Sequence, residues 1–332
     1  MASVKLGATE YTAQPGPYAV SSFEQIWHDD ARNRDVPVKI FYPKQLSGKE
    51  SAVFPIIVFS HGLGGSREGY GYLGSHWASC GYISVHVQHK GSDKDVIRGL
   101  RPLKALREAA AQPVNAINRT IDLKFALDRL TSLNSDSAFI LHGQLDLTRI
   151  GVAGHSFGAF TIMAVAGAHW PVLGDDPRYL DRRVKAAIAM STPATQDNDA
   201  AFDEVTIPIF HMTGTKDESP QGRSEGNAET IVGNTKAVER LRPFLHTKHA
   251  PAYLLVFEGG DHMVFSGRRT ESRETDKEFQ ALVLSGSTAF WDAWLKEDKD
   301  AHQWLDDGFF LSAVGKFGTF ESKRPQEVVP TP

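Results

Sequence analysis

An α/β fold, with a mostly parallel central sheet and helices on both faces, is the architecture that the sequence predicts. Short apolar runs alternate with longer stretches of helical periodicity, and from Pro55 onward most of those runs are apolar throughout. Strands covered on both faces lose the in-and-out alternation of a half-solvated sheet, and strand–helix–strand repetition builds a doubly covered layer. The first two strand candidates follow one another with no helix between them, so they are expected to pair antiparallel at the N-terminal edge.

Taken in order, Tyr18–Trp27 and Val36–Tyr42 read as that edge pair, and Pro55–Ser60 as the first fully buried strand. Helical spacing over Glu68–Ser79 leads into a strand at Tyr82–Gln88. The next stretch, 91–114, is longer than an ordinary connection, with Val96, Ile97, Leu100, Leu103 and Leu106 as its apolar positions. It reads as an insertion that either covers the site as a lid or packs on the sheet. Its Arg98, Arg101, Lys104 and Arg107 read as a solvated helix face. Over Ala116–Leu130, Ile121, Leu123, Phe125, Leu127 and Leu130 give one broad apolar face. Strands at Arg149–Ala153, Lys185–Met190, Ile207–Met212 and Tyr253–Glu258 then alternate with helices at Phe157–His169, Thr230–Leu241 and Asp276–Leu295. The polar stretch Glu218–Asn227 is a second long connection, and 322–332 reads as a frayed tail. The whole chain, 1–332, is expected to form one domain.

Composition narrows the function classes. With 41% hydrophobic and 23% charged residues among 332, the chain reads as globular rather than disordered. Forty acidic against thirty-six basic residues leave a formal charge of −4, with no surplus to draw the molecule to nucleic acid. Apolar runs such as Phe54–Phe59 fall far short of the ~20 residues that span a bilayer. The single cysteine, Cys80, excludes an intramolecular disulfide and a zinc site built on several thiolates. Met1–Lys5 lacks a charged segment followed by an apolar one. The chain as written therefore reads as cytoplasmic, the alternative being an exported protein whose leader has been removed. Its oligomeric state is left open.

The sharpest chemical signal is Gly154-His155-Ser156-Phe157-Gly158, placed directly between a strand and a helix. A nucleophilic serine raised above a sheet needs a turn so tight that its neighbours carry no side chains. A second signal, Ser60-His61-Gly62-Leu63-Gly64-Gly65, ends the strand Pro55–Ser60. Acyl transfer needs two donors aimed at the oxyanion, and the backbone N–H groups of Leu63 and Phe157 are the candidates. His61 is read as a residue bracing this loop. The base is assigned to His262, which follows a strand through Gly259-Gly260-Asp261. The orienting acid is assigned to Asp217, reached through Thr213-Gly214-Thr215-Lys216, in preference to Glu218 and Asp261. Met190, Trp170, Met263 and Phe265 are the candidate lining of the acyl pocket. His86 and His89 read as structural, and the Asn118-Arg119-Thr120 sequon, inside a helix, as chance. No phosphate loop or dinucleotide fingerprint occurs, and neither a metal nor an organic cofactor is expected.

These motifs, in this order, resemble the serine α/β-hydrolases from about Trp27 to Trp294. The chain is similar to bacterial esterases labelled dienelactone-hydrolase-like, to platelet-activating-factor acetylhydrolases and to polyester (PET) hydrolases. The resemblance implies an α/β-hydrolase fold and a carboxylic-ester hydrolase working through an acyl-enzyme, without a cofactor, on small-molecule or polymeric esters. It implies Ser156, His262 and Asp217 as catalytic residues, and hydrophobic acyl or aromatic esters as substrates. A phospholipid acetylhydrolase and a non-catalytic binding protein of the same fold are the alternatives. Two departures stand out. Dienelactone hydrolases use a cysteine where Ser156 stands, and no Asp follows Ala189-Met190-Ser191, where the acetylhydrolases carry their acid. Asp217 matches the polyester-hydrolase arrangement instead.

Overall fold

A computed structural model describes residues 10–44, 52–98, 101–174, 179–194, 196–219, 235–267 and 273–325. Among them lie strands β1 (Val20–Asp29), β2 (Arg34–Pro43), β3 (Phe54–Ser60), β4 (Ile83–Val87), β5 (Leu145–His155), β6 (Val184–Met190), β7 (Ile209–Lys216), β8 (Ala252–Asp261) and β9 (Gly318–Lys323). The helices are α1 (Gly71–Ser79), α2 (Pro102–Ala111), α3 (Pro113–Asn134), α4 (Phe157–Val165), α5 (Arg242–His246), α6 (Glu274–Leu295), α7 (Lys299–Asp306) and α8 (Phe309–Val314). All the strands join one sheet in the order β1-β2-β4-β3-β5-β6-β7-β8-β9. The run from β4 to β8 is parallel; β1 and β2 form the expected antiparallel N-terminal edge.

The apolar strands are buried on both faces because successive side chains point to opposite sides. In β3, Ile56 and Val58 join the core beneath α3 and α4, whereas Ile57 and Phe59 join the core on the side of α1 and α6. Leu123, Leu127 and Leu130 from α3 fill the first core, and Trp77, Phe290 and Trp291 the second. Trp77 and Trp291 meet edge to face at 6.0 Å. A Cβ on Gly151 of β5 would come within 2.7 Å of the Trp291 ring, so that glycine lets α6 lie close on the sheet.

Several expectations need correction. Ser322 and Lys323 belong to β9, antiparallel to β8, and not to a frayed tail. This strand is short and polar, with only Phe320 buried, so periodicity does not reveal it. Helix α4 stops at Val165 rather than His169, because Gly167 takes a left-handed φ of 110° that ends the helix. Strands β7 and β8 run past their expected ends through Lys216 and Asp261, which are register partners. The insertion at 91–114 holds a 3-10 turn, Lys94–Arg98, and then α2. Most of Glu218–Asn227 and the start of Thr230–Leu241 lie outside the described residues; the remainder of the latter is a 3-10 turn at Ala237–Leu241. No helix of the described residues is long and apolar enough to cross a membrane.

Trp291 is fully buried between α1 and β5. Trp291→Ala is expected to lower stability by about 3–5 kcal/mol, the range for emptying a large aromatic site. Urea titration checks this, and a loss below about 1 kcal/mol would mean that the surrounding side chains collapse into the space.

Candidate active site

The sheet's register assembles the site. Ser60 pairs with Gly154, His155 with Met190, and Lys216 with Asp261, so the residues that follow these pairs emerge side by side at the carboxyl edge. Ligands bind at this edge in open α/β sheets. Asp217 and His262 are each the next residue after the last β7–β8 pair. Gly214 makes the pairing possible: its Cβ would fall 2.2 Å from the Gly260 carbonyl oxygen.

Ser156 sits at φ 55° and ψ −119°, a conformation that side chains rarely adopt. Its amide donates to Met190 O at 2.9 Å. The flanking glycines leave no room for anything larger. A Cβ on Gly154 would lie 2.4 Å from the Gly158 carbonyl, and one on Gly158 would lie 1.9 Å from Ser60 O. The turn raises the Ser156 hydroxyl to 3.0 Å from His262 Nε2, at the start of α4.

On the other side of the imidazole, His262 Nδ1 donates to Asp217 Oδ1 at 2.8 Å. That carboxylate is fully buried and saturated with donors. Oδ2 accepts from Ser191 Oγ at 2.5 Å and Thr213 Oγ1 at 2.9 Å, and Oδ1 also meets Arg240 Nε at 2.8 Å. Burial opposes its ionisation, but the Arg240 charge and the hydrogen bonds outweigh that and hold the carboxyl well below the usual range. Burial also lowers the His262 imidazole, with the Asp217 hydrogen bond and charge pulling upward and Arg240 pushing further down. Arg240 Nη2 stands 3.3 Å from Nδ1. Both atoms carry protons in this tautomer, so the contact repels an imidazolium instead of forming a hydrogen bond.

His155, beside the serine, is buried and kept neutral chiefly by desolvation. Its Nε2 donates to the His262 carbonyl at 2.9 Å, and its Nδ1 accepts from Tyr70 Oη at 2.8 Å. The serine turn and the histidine turn are thus tied through one ring.

The loop after β3 closes over the same point. A Cβ at Gly62 would be 3.4 Å from Ser156 Cβ, which puts the loop against the serine. Gly64 N donates to Ser92 O and Gly65 N to Gly62 O, whereas no acceptor is found among the described residues for Leu63 N or Phe157 N. His61 braces the loop, as expected: its Nε2 accepts from His89 N at 3.1 Å and its Nδ1 donates to Gly62 O at 2.6 Å. Ile97 and Leu106 of the insertion sit over Gly64.

The candidate pocket residues are not brought together. Met190 is fully buried in the core on the α6 side, and Phe265 is fully buried against His155 and Phe257. Trp170 stacks on Phe160 at 4.7 Å and lines a cavity of about 480 Å³ with His169, Tyr179 and Arg182, at the far end of α4 from Ser156. Only Met263, 41% exposed next to His262, faces outward at the site. An apolar residue in a strand or helix end is more easily buried in the core than turned to a cleft, and sequence adjacency does not distinguish the two.

Sequence reasoning passed over Arg240 and Ser191, which contact Asp217 from segments 23 and 26 residues away, and over the role of Thr213, four residues before it. Nothing in their local pattern marks them. It also passed over Arg119 and Asp122 on α3, whose signal was present: charged residues in line with the apolar positions Ala116, Leu123 and Ala126. His86 and His89 are buried in hydrogen-bonded structural positions. Among the described residues, no group of three or more His, Cys, Asp or Glu is placed to hold a metal.

Residues 32–100 match the sequence profile of the family described as platelet-activating factor acetylhydrolase, isoform II. Similar proteins include platelet-activating factor acetylhydrolases of dog, 22% identical over 51% of this chain and 41% of that protein, and of cattle, 24% identical over 50% and 41%. That of guinea pig is 22% identical over 81% of this chain and 63% of its own length. The chain thus spans less than two thirds of the length of these curated relatives.

Arg240 disfavours a charged His262, so removing its charge must raise the imidazole pKa. Arg240→Gln is expected to shift the His262 titration to higher pH, read from the ring-proton NMR resonances of the resting protein. An unmoved or lowered titration would show that the guanidinium does not act on this ring.

Proposed function

We infer that this chain, a member of the α/β-hydrolase superfamily, hydrolyses carboxylic esters with Ser156 as nucleophile. The observation that carries the reading is the continuous relay Ser156–His262–Asp217, at 3.0 and 2.8 Å. In the acylation step, Ser156 Oγ attacks the ester carbonyl while His262 Nε2 takes its proton. Asp217, kept ionised, holds Nδ1–H and offsets the charge that forms on the ring. The N–H groups of Leu63 and Phe157 receive the oxyanion, Phe157 with the added advantage of the α4 N-terminus. His262 then returns the proton to the leaving alcohol and activates water to release the acid. Burial of the ring favours the neutral imidazole that the first step requires.

For substrates, the reading is hydrophobic acyl or aromatic esters, polyesters among them. Exposed Met263 follows His262, and half-buried Leu63 carries a candidate oxyanion donor; both are apolar. A second reading, an acetylhydrolase of phospholipid esters, is favoured by the names of the matched relatives.

Initial rates on p-nitrophenyl esters from acetate to dodecanoate, wild type beside Ser156→Ala, test both. Wild-type turnover falling ~10³-fold or more in the variant is expected. A maximum at acetate favours the acetylhydrolase reading, and a broad or longer-chain maximum the hydrophobic-ester one. If wild type shows no turnover and no covalent labelling by a fluorophosphonate, the non-catalytic alternative stands and the enzyme reading is lost.

A further inference from the structure

Arg119 lies in the middle of α3 and is fully buried, yet no carboxylate forms an ion pair with it among the described residues. Its guanidinium is taken up by oxygens and a ring of the two segments carrying the oxyanion donors, and by Ser92, which holds one of them. Nη2 donates to His61 O, the carbonyl two residues before Leu63, and to Ser60 Oγ at 3.1 Å. Nη1 donates to Ser92 Oγ at 2.9 Å, and the Ser92 carbonyl holds Gly64 N. On the other side, Nε donates to Thr161 Oγ1 at 3.0 Å, one turn along α4 from Phe157, and the guanidinium carbon stands 4.5 Å over the Phe157 ring.

A relay of fixed protons backs this arrangement. Ser60 Oγ, which accepts from Arg119, donates to His89 Nε2 at 2.9 Å, and His89 Nδ1 donates to Asp122 Oδ2 at 3.1 Å. Asp122 is anchored in turn by Arg34 at 2.9 Å and Arg32 at 2.8 Å. Burial keeps His89 neutral, its pKa lowered to about 3, which sets the direction of every bond in the chain. Ser60, His89 and Asp122 share the residue types of the Ser156 relay, but they are sealed in the interior and act as a brace.

We propose that Arg119 is the positioning residue of the oxyanion hole, one rigid fork that sets the distance between the Leu63 loop and the start of α4. The proposal rests on the reading of Ser156 as an ester-hydrolysing nucleophile. A donor pair works only if it is held where the oxyanion will form, since reorganising it at the moment of reaction consumes its advantage. A lysine keeps the charge but gathers its donors on one nitrogen, without the planar fork that spans both segments.

The test compares Arg119→Lys and Arg119→Met with wild type on p-nitrophenyl acetate and on its thionoester, in which sulfur replaces the carbonyl oxygen. In either variant, kcat is expected to fall about 10²-fold with KM within about threefold, the signature of support lost in the transition state. The preference for the oxygen ester should shrink, because only the oxyanion depends strongly on well-placed donors. Equal losses on both esters, or a kcat near wild type, would overturn the proposal. Where Met prevents folding, the lysine variant decides. Amide hydrogen exchange over residues 61–65 gives a reading that needs no turnover. Faster exchange in Arg119→Lys supports the clamp, and unchanged exchange overturns it, whether or not wild type hydrolyses any ester.

Discussion

Contact between backbones at the serine turn is the constraint on which the site depends. Gly158 lies so close to Ser60 O that even a methyl group would overlap it, and Gly154 touches Gly158 in the same way. The start of α4 is therefore pressed directly onto the end of β3. Two consequences follow. Ser156 is held at a positive φ that it would not choose alone. The loop leaving β3 must also turn beside the first residue of α4, so both candidate oxyanion donors come from segments already in contact. Without that contact the serine would sit on a relaxed turn and the loop would have no fixed place.

Around this joint the protein buries two arginines, a costly choice unless every donor finds an oxygen. Arg240 lies behind the acid and Arg119 behind the donors. Each is satisfied largely by main-chain carbonyls and hydroxyls, which do not titrate. Interior charges act strongly because little water screens them. At His262 the Asp217 charge favours the imidazolium, while Arg240 and burial oppose it. A ring that is neutral at rest yet supported when it gains a proton suits a general base.

The fold class, the buried parallel strands and the antiparallel N-terminal edge were legible, because burial on two faces writes itself into apolar runs and an absent crossover into chain order. Ser156, His262 and Asp217 were legible as neighbours because each follows a strand of the same sheet through a short turn. Strand β9 was not, since an edge strand with one buried side chain has no pattern to read. The burial of three candidate pocket residues was not legible for a different reason. Met190, Phe265 and Trp170 are close in sequence to chemical residues, but a strand alternates its faces and a helix carries its far end about 1.5 Å away per residue.

What the sequence alone determined is what depends on local backbone geometry and periodicity: the sheet, the glycine turn that raises Ser156, and the order of the candidate triad. What only the tertiary structure decided is which charged and polar groups from distant segments converge on those turns. Arg240 and Ser191 meet Asp217, and Arg119 meets the loop at His61, only after strand register and helix packing are complete. Such contacts are side-chain distances across the fold, and no spacing along one chain encodes them.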